Sequence, residues 1–263
     1  MKFCRNSNRW PCKAARSYSD ITSPALVCIT ETWLKPEITD NLLSCSGSYS
    51  VFRTDRQFSS GGGVCILCKD EVIKASSVTI PDKFRPCEIV SIDIVDSSVK
   101  IRVICGYRPP GHSADRDVNY MSLFVECLNF LCNVFNSTVL LCGDFNLPKI
   151  RWLNGLPCQT VVDTCSDLFI NFIYDFALRQ HVKEDTRLSR LPDKAGNILD
   201  LVLSNDASFV FNVKADVPFS TSDHLIVNFD IFYHSNVIND NSKPHHNFSK
   251  ADWVSIESLS QRC

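Results

Sequence analysis

The chain has no apolar run near the roughly 20 residues that a membrane-spanning helix requires, so no such helix is expected. Met1 to Cys12 has no apolar core, only scattered Arg, Asn and Lys. No secretory signal is legible there, and an intracellular setting is expected. Charge imbalance is also missing: the net charge is -2 over 263 residues, with 21% charged. Binding to a polyanion would therefore have to rest on locally clustered basic residues. Zinc spacing is absent as well, since the one Cys-x-x-Cys, Cys65 with Cys68, has no second pair and no nearby His. The glycine run Ser59-Ser60-Gly61-Gly62-Gly63 is not followed by Gly-Lys-Ser/Thr and leads into a strand. It reads as a flexible turn and not as a phosphate loop.

What is present is a globular composition, 44% hydrophobic, and an unusual number of cysteines, 14. With no export signal they read as reduced core residues, and Cys28, Cys65, Cys105 and Cys142 all sit inside apolar runs. No internal repeat or second core is visible. One domain over residues 1–233 is expected, followed by a polar tail over 234–263.

The stretch Val139-Leu140-Leu141-Cys142-Gly143-Asp144-Phe145-Asn146 carries the most information. Four apolar residues in succession predict a strand buried on both faces. Side chains alternate along extended chain, so Asp144 and Asn146 should emerge on one side at its C-terminal end. A plain Asp-Phe-Asn turn fits these residues equally well. Ala25 to Glu31 repeats the design, an apolar strand delivering a carboxylate. Strands over about 88–95 and 99–106 follow, the second ending in Tyr107-Arg108-Pro109-Pro110 because proline cannot donate to a ladder.

Helical spacing of Met121, Phe124, Val125, Leu128, Leu131, Cys132 and Phe135 predicts a helix over about 115–135. A second helix is expected from Asp163, its N-cap, to Phe176. The strand Ile198 to Leu203 carries Asp200 in its middle, where burial demands a partner. Ser222-Asp223-His224, before the last strand at Leu225 to Phe232, supplies one. Adjacent side chains point opposite ways, so His224 can face Asp200 while Asp223 faces a metal.

Glu31, Tyr107, Asp144, Asn146, Asp223 and His224, with Asp200 behind the histidine, make an inventory suited to phosphodiester hydrolysis. Carboxylates hold a hard divalent cation, and a carboxylate-paired His moves a proton or balances charge. These residues, with Ile29 to Leu34, Tyr107 to Pro110, Gly143 to Pro148 with Trp152, Thr186-Arg187, Leu199 to Val202 and Ser222 to His224, resemble the endonuclease/exonuclease/phosphatase superfamily. More narrowly they resemble the endonuclease domain of LINE-type (non-LTR) retrotransposons.

That resemblance implies an α/β fold, a four-layer DNase I-like sandwich of two mixed sheets flanked by helices. It implies Mg²⁺, or Mn²⁺, held by Glu31, Asn6 and Asp223, with Asn8 a second candidate for the asparagine. Asp144 and Asn146 would position the attacking water, Tyr107 would contact the phosphate, and Asp200 would orient His224. Arg108, Thr186, Arg187 and Ser222 would contact double-stranded DNA. Only five residues precede Asn6, and no Tyr-x-Asp-Asp of a reverse transcriptase occurs. A truncated element, active in the nucleus if at all, is expected. The alternatives are a phosphatase or abasic-site nuclease of the same superfamily, and an inactive DNA-binding relic.

Overall fold

In the computed structural model the described residues are 2–5, 23–44, 48–57, 59–96, 99–111, 114–134, 137–158, 163–189, 196–218 and 222–233. Asn6, Asn8 and the polar tail lie outside them. In chain order the strands are β1 (Lys2–Arg5), β2 (Leu26–Thr30), β3 (Tyr49–Thr54), β4 (Val64–Lys69), β5 (Ala75–Ser77), β6 (Glu88–Asp96) and β7 (Val99–Tyr107). Helix α1 (Ala114–Asn133) precedes β8 (Thr138–Asp144), β9 (Arg151–Leu153) and β10 (Leu156–Cys158). Helix α2 (Thr164–Asp175) leads to β11 (Arg179–Gln180), β12 (Asp200–Ser204), β13 (Val210–Pro218) and β14 (Leu225–Ile231).

Two six-stranded sheets form, ordered β13-β14-β1-β2-β4-β3 and β11-β12-β8-β7-β6-β5, with β9 and β10 a separate hairpin. Both sheets mix parallel and antiparallel pairs: β1 runs parallel to β2 and β7 parallel to β8. The continuous apolar runs are explained by strand parity. Leu26 and Cys28 of β2, Ile66 and Cys68 of β4, Val103 and Cys105 of β7, and Leu140 and Cys142 of β8 fill the space between the sheets. Their alternate neighbours face outward: Ile104, Val139, Leu141 and Leu203 pack under α1 and α2. Val27, Ile29, Cys65 and Leu67 pack under Leu34 and Leu43 on the far side of the first sheet. The central strands β2, β4, β7 and β8 are apolar on both faces because each sheet is covered on both there. Parity also sends Cys65 and Cys68 to opposite faces, so they cannot clamp one metal ion.

Helix α2 begins where its cap requires. Asp163 is extended and its Oδ1 accepts from Cys165 N and Ser166 N, at 3.1 and 3.2 Å. A tighter constraint lies between β7 and β8. A Cβ on Gly143 would stand 1.9 Å from the Gly106 carbonyl oxygen, so no side chain fits there. That close approach draws the two strand ends together where the polar residues appear.

The glycine run before β4 is a built turn. Gly61, Gly62 and Gly63 all have φ between 69° and 85°, the left-handed region that glycine enters at no steric cost. The turn is braced by the segment after β2: Thr32 N donates to Gly63 O and Trp33 N to Gly62 O. The expected flexible turn is thus replaced by a fixed one.

Candidate active site

One end of the sandwich gathers the polar residues, and ladder register does the gathering. Glu88 opens β6, Tyr107 closes β7, Asp144 closes β8 and Asp200 opens β12. They pair in a single row across four neighbouring strands, Glu88 with Tyr107, Tyr107 with Asp144, and Asp144 with Asp200. Each shares its strand's inward phase, with Val90, Cys105, Cys142 and Val202 as the next inward residues. All four side chains therefore point into the mouth of the gap between the sheets. Asp200 is the first residue of its strand and not a mid-strand residue as the apolar pattern suggested. Leu199 before it is bonded instead to Phe145, whose N donates to Leu199 O at 3.0 Å.

The first sheet closes the mouth. Glu31, just past β2, has φ 53° and is buried, and its carboxylate accepts a short hydrogen bond from the Tyr107 hydroxyl. His224, just before β14, is fully buried and its Nδ1 lies 2.7 Å from Asp200 Oδ2. The other Asp200 oxygen, Oδ1, is buried with no hydrogen-bond partner among the described residues. One ligand atom each from Asp144, Asp200 and His224 lies within 4.8 Å of the others, all three buried. Two carboxylates and an imidazole at that separation, with an unsatisfied oxygen among them, fit a hard divalent cation.

Asn146 holds a left-handed conformation, φ 49°, which asparagine tolerates better than most residues. Its N donates to Asp144 Oδ1 at 3.2 Å and its Nδ2 to Arg108 O at 2.7 Å. The turn after β8 thus ties the catalytic candidate Asp144 to the Tyr107-Arg108 segment, and Arg108 N donates in return to Asp144 O at 2.9 Å.

The residues expected to touch DNA divide. Thr186 is fully buried, so direct contact with a duplex is ruled out for it. Its hydroxyl accepts from Leu199 N and Asp200 N, both at 3.0 Å, and so sets the start of β12. Ser222 is buried too, its Oγ accepting from His224 N at 3.0 Å. Both place the Asp200–His224 pair and do not read a ligand. Arg108 is buried, donating to Asn146 O at 3.1 Å, with its Nε lacking a hydrogen-bond partner among the described residues. Arg187 is half-exposed and its Nη2 pairs with Asp223 Oδ2 at 2.9 Å. Asp223 and Arg187, expected to serve a cation and DNA separately, are joined to each other, because the bridge between Arg187 and His224 brings their side chains together.

Beside Asn146 a cavity of about 550 Å³ opens, walled by Arg108, Lys149, Ser166, Arg187 and Asn197 among others. Its cations Arg108, Lys149 and Arg187 share the lining with the acids Asp117 and Asp163, and Lys149 pairs with Asp163 at 3.3 Å.

Glu88 was not anticipated as a site residue. It stands in the same row as Tyr107, and its carboxylate accepts from Gly63 N and from Arg56 Nε and Nη2, the Nε bond being 2.8 Å. Burial pushes its carboxyl above the ordinary carboxylate range, against the lowering influence of the Gly63 amide and Arg56. Its signal was an acid bordering an apolar strand, as at Glu31 and Asp144, but on the N-terminal side, where such acids were not sought.

The cysteines behave as core. Cys28, Cys65, Cys68, Cys87, Cys105, Cys127, Cys132, Cys142, Cys158 and Cys165 are free thiols, and all of these but Cys158 are buried. Burial raises the Cys87 and Cys132 thiols to about 12, which leaves them unreactive near neutrality.

Residues 101–228 match the family described as Endonuclease-reverse transcriptase. No curated protein is similar enough in sequence to match the chain. Solved structures with this fold include the endonuclease domain of TRAS1, a telomere-specific non-LTR retrotransposon. It is 14% identical at TM-score 0.64, covering 88% of this chain and 96% of that one. The AP endonuclease LMAP from Leishmania major is 15% identical at TM-score 0.68, covering 89% and 87%. The 3′ phosphatase NExo from Neisseria, bound to a product DNA hairpin, is 15% identical at 0.65, covering 89% and 100%.

Proposed function

We propose that this chain is a divalent-metal-dependent DNA endonuclease that nicks one strand, as the endonuclease domain of a LINE-type element. The observation that carries the reading is the buried convergence of Asp144, Asp200 and His224 within 4.8 Å, at a mouth also lined by Glu31 and Tyr107. The oxygen donors that could hold Mg²⁺, or Mn²⁺ in its place, are Glu31, Asp144 and Asp200. When bound, such a cation would neutralise phosphate charge and favour departure of the leaving oxygen.

The chain's own residues do the rest. Asp144, held by Asn146 N and backed by the β7–β8 contact, orients a water for attack. His224, fixed by Asp200 through Nδ1, presents its other ring nitrogen as a proton-transfer group or cation. Tyr107 fixes the Glu31 carboxylate through its hydroxyl. Arg187 and Lys149, at the cavity rim, would meet the sugar–phosphate backbone. A 3′-hydroxyl left by such a nick could prime copying by a reverse transcriptase in the full-length element, and the nucleus is where the activity would be exercised.

A second reading is favoured by the likeness of the fold to that of an AP endonuclease and of a 3′ phosphatase. Under it the cavity beside Asn146 would take a damaged or terminal nucleotide.

Supercoiled-plasmid nicking by the purified chain, with Mg²⁺ against EDTA, tests the reading beside Asp144→Ala and His224→Ala. Metal-dependent relaxation absent from both variants is the expected result. An abasic-site oligonucleotide cut while intact plasmid stays closed would favour the second reading. A folded wild type that binds DNA without cutting either substrate would leave a binding relic.

A further inference from the structure

Glu31 sits in a left-handed backbone conformation that costs free energy for a residue with a Cβ. Something must hold it there. The hold begins at the next residue, where Thr32 N and then Trp33 N donate to the carbonyls of Gly63 and Gly62, the second at 2.8 Å. Those carbonyls can face the β2 end only because the glycine turn is itself pinned, and the pin is Glu88. Its Oε2 accepts from Gly63 N while its Oε1 accepts from Arg56. A Cβ on Gly62 would fall 2.3 Å from Glu88 Oε2 and 2.4 Å from Arg56 Nε, so the turn is closed onto this ion pair with no room to spare.

The same pair reaches Tyr107. Glu88 is its ladder partner, and the Arg56 guanidinium carbon lies 5.8 Å from the Tyr107 ring centroid, over its face. Tyr107 in turn donates to Glu31. Two routes thus run from one partly buried ion pair to the same carboxylate: one through the glycine turn and the Thr32–Trp33 backbone, the other through the Tyr107 ring.

We infer that Glu88 and Arg56 are positioning residues that set the Glu31 carboxylate for a divalent cation, an assignment that rests on the metal-dependent reading above. Neither touches the reacting atoms. They act by fixing the direction of a ligand, as carboxylates behind metal-binding side chains do, where their loss typically weakens metal affinity by about tenfold to a hundredfold.

The test compares wild type, Glu88→Gln, Glu88→Ala and Arg56→Met. Two readouts are taken: the Mg²⁺ concentration for half-maximal nicking, and Mg²⁺ binding by calorimetry without DNA. Glu88→Ala should raise both midpoints about tenfold or more. Glu88→Gln keeps an oxygen for the Gly63 amide and should recover most of that loss. Arg56→Met, on a partly exposed side chain, should raise the midpoints in the same direction, and it serves where Glu88→Ala does not fold. DNA affinity in EDTA should be unchanged throughout, which a general loosening of the fold would not allow. Midpoints within about twofold of wild type in folded Glu88→Ala or Arg56→Met would overturn the inference. A wild type that neither nicks nor binds Mg²⁺ would overturn the functional reading itself.

Discussion

Asp144 and Asp200 are register partners across β8 and β12, and neither carboxyl has any solvent exposure. Two carboxylates held this close out of water repel one another unless a cation lies between them. Function and metal-free stability should therefore oppose each other at this pair. In EDTA, Asp144→Asn is expected to melt a few degrees above wild type while being inactive. For a domain of this size about 1 kcal/mol corresponds to roughly 2–4 °C. Saturating Mg²⁺ should raise the wild-type melting temperature and narrow or reverse that order. Calorimetry with and without Mg²⁺ checks both, and a wild type indifferent to Mg²⁺ would count against the cation.

The pairing of His224 with Asp200 makes a prediction about additivity. His224→Ala should lower the nicking rate by about 10² to 10⁴. Asp200→Asn, which disturbs the ring's orientation at Nδ1, should lower it comparably. Because the two residues act as a unit, the double variant should be little worse than the poorer single one. Independent, multiplying losses in single-turnover rates would show that the 2.7 Å contact is not the functional link.

Thr186 separates placement from contact. Thr186→Val keeps the shape but leaves the Leu199 and Asp200 amides without their acceptor. Each buried donor so stranded costs about 1–3 kcal/mol, so urea unfolding should show a loss of that order, with Thr186→Ser near wild type. DNA affinity of the folded Thr186→Val protein should be unchanged. A selective loss of DNA binding at unaltered stability would restore the contact role that burial takes away.

Glu88 also gives the protein a pH dependence. Its folded-state carboxyl titrates above its ordinary value of 4.5, with burial the leading cause. The folded state then binds more protons than the unfolded chain across the interval between the two values. Stability is fully present below the lower value and falls as pH rises through the higher one. Glu88→Gln, which does not titrate, should flatten that fall in denaturant midpoints measured from pH 4 upward. A fall of equal steepness in the variant would assign it to other groups.

Much of this was legible before the structure, and the reasons it was or was not are local. Leu26–Thr30 and Thr138–Asp144 announce themselves because both faces are buried and no polar residue interrupts them. Strand β13 did not, since Val210–Pro218 lies at a sheet edge with most of its side chains exposed. The two-residue β11 and the β9–β10 hairpin are too short for any periodicity to register. The site's acids were visible as charges bordering apolar runs. Thr186 was misplaced because a hydroxyl that accepts two backbone amides looks, in sequence, like one that faces a ligand. Asp223 and Arg187 stand 36 residues apart, and no local pattern could announce their bond.

The row Glu88, Tyr107, Asp144, Asp200 depends on every strand keeping its phase. Substitution within β6, β7, β8 or β12 changes volume at one position and leaves the row intact. Adding or removing a single residue within one strand does something different. It turns the terminal side chain through the sheet, from the gap beside Glu31 to the layer beneath the helices. A lineage copying this chain with many errors would therefore lose the site sooner by short insertions and deletions than by point changes. Length variation among working copies should collect in the connections and spare the four strands.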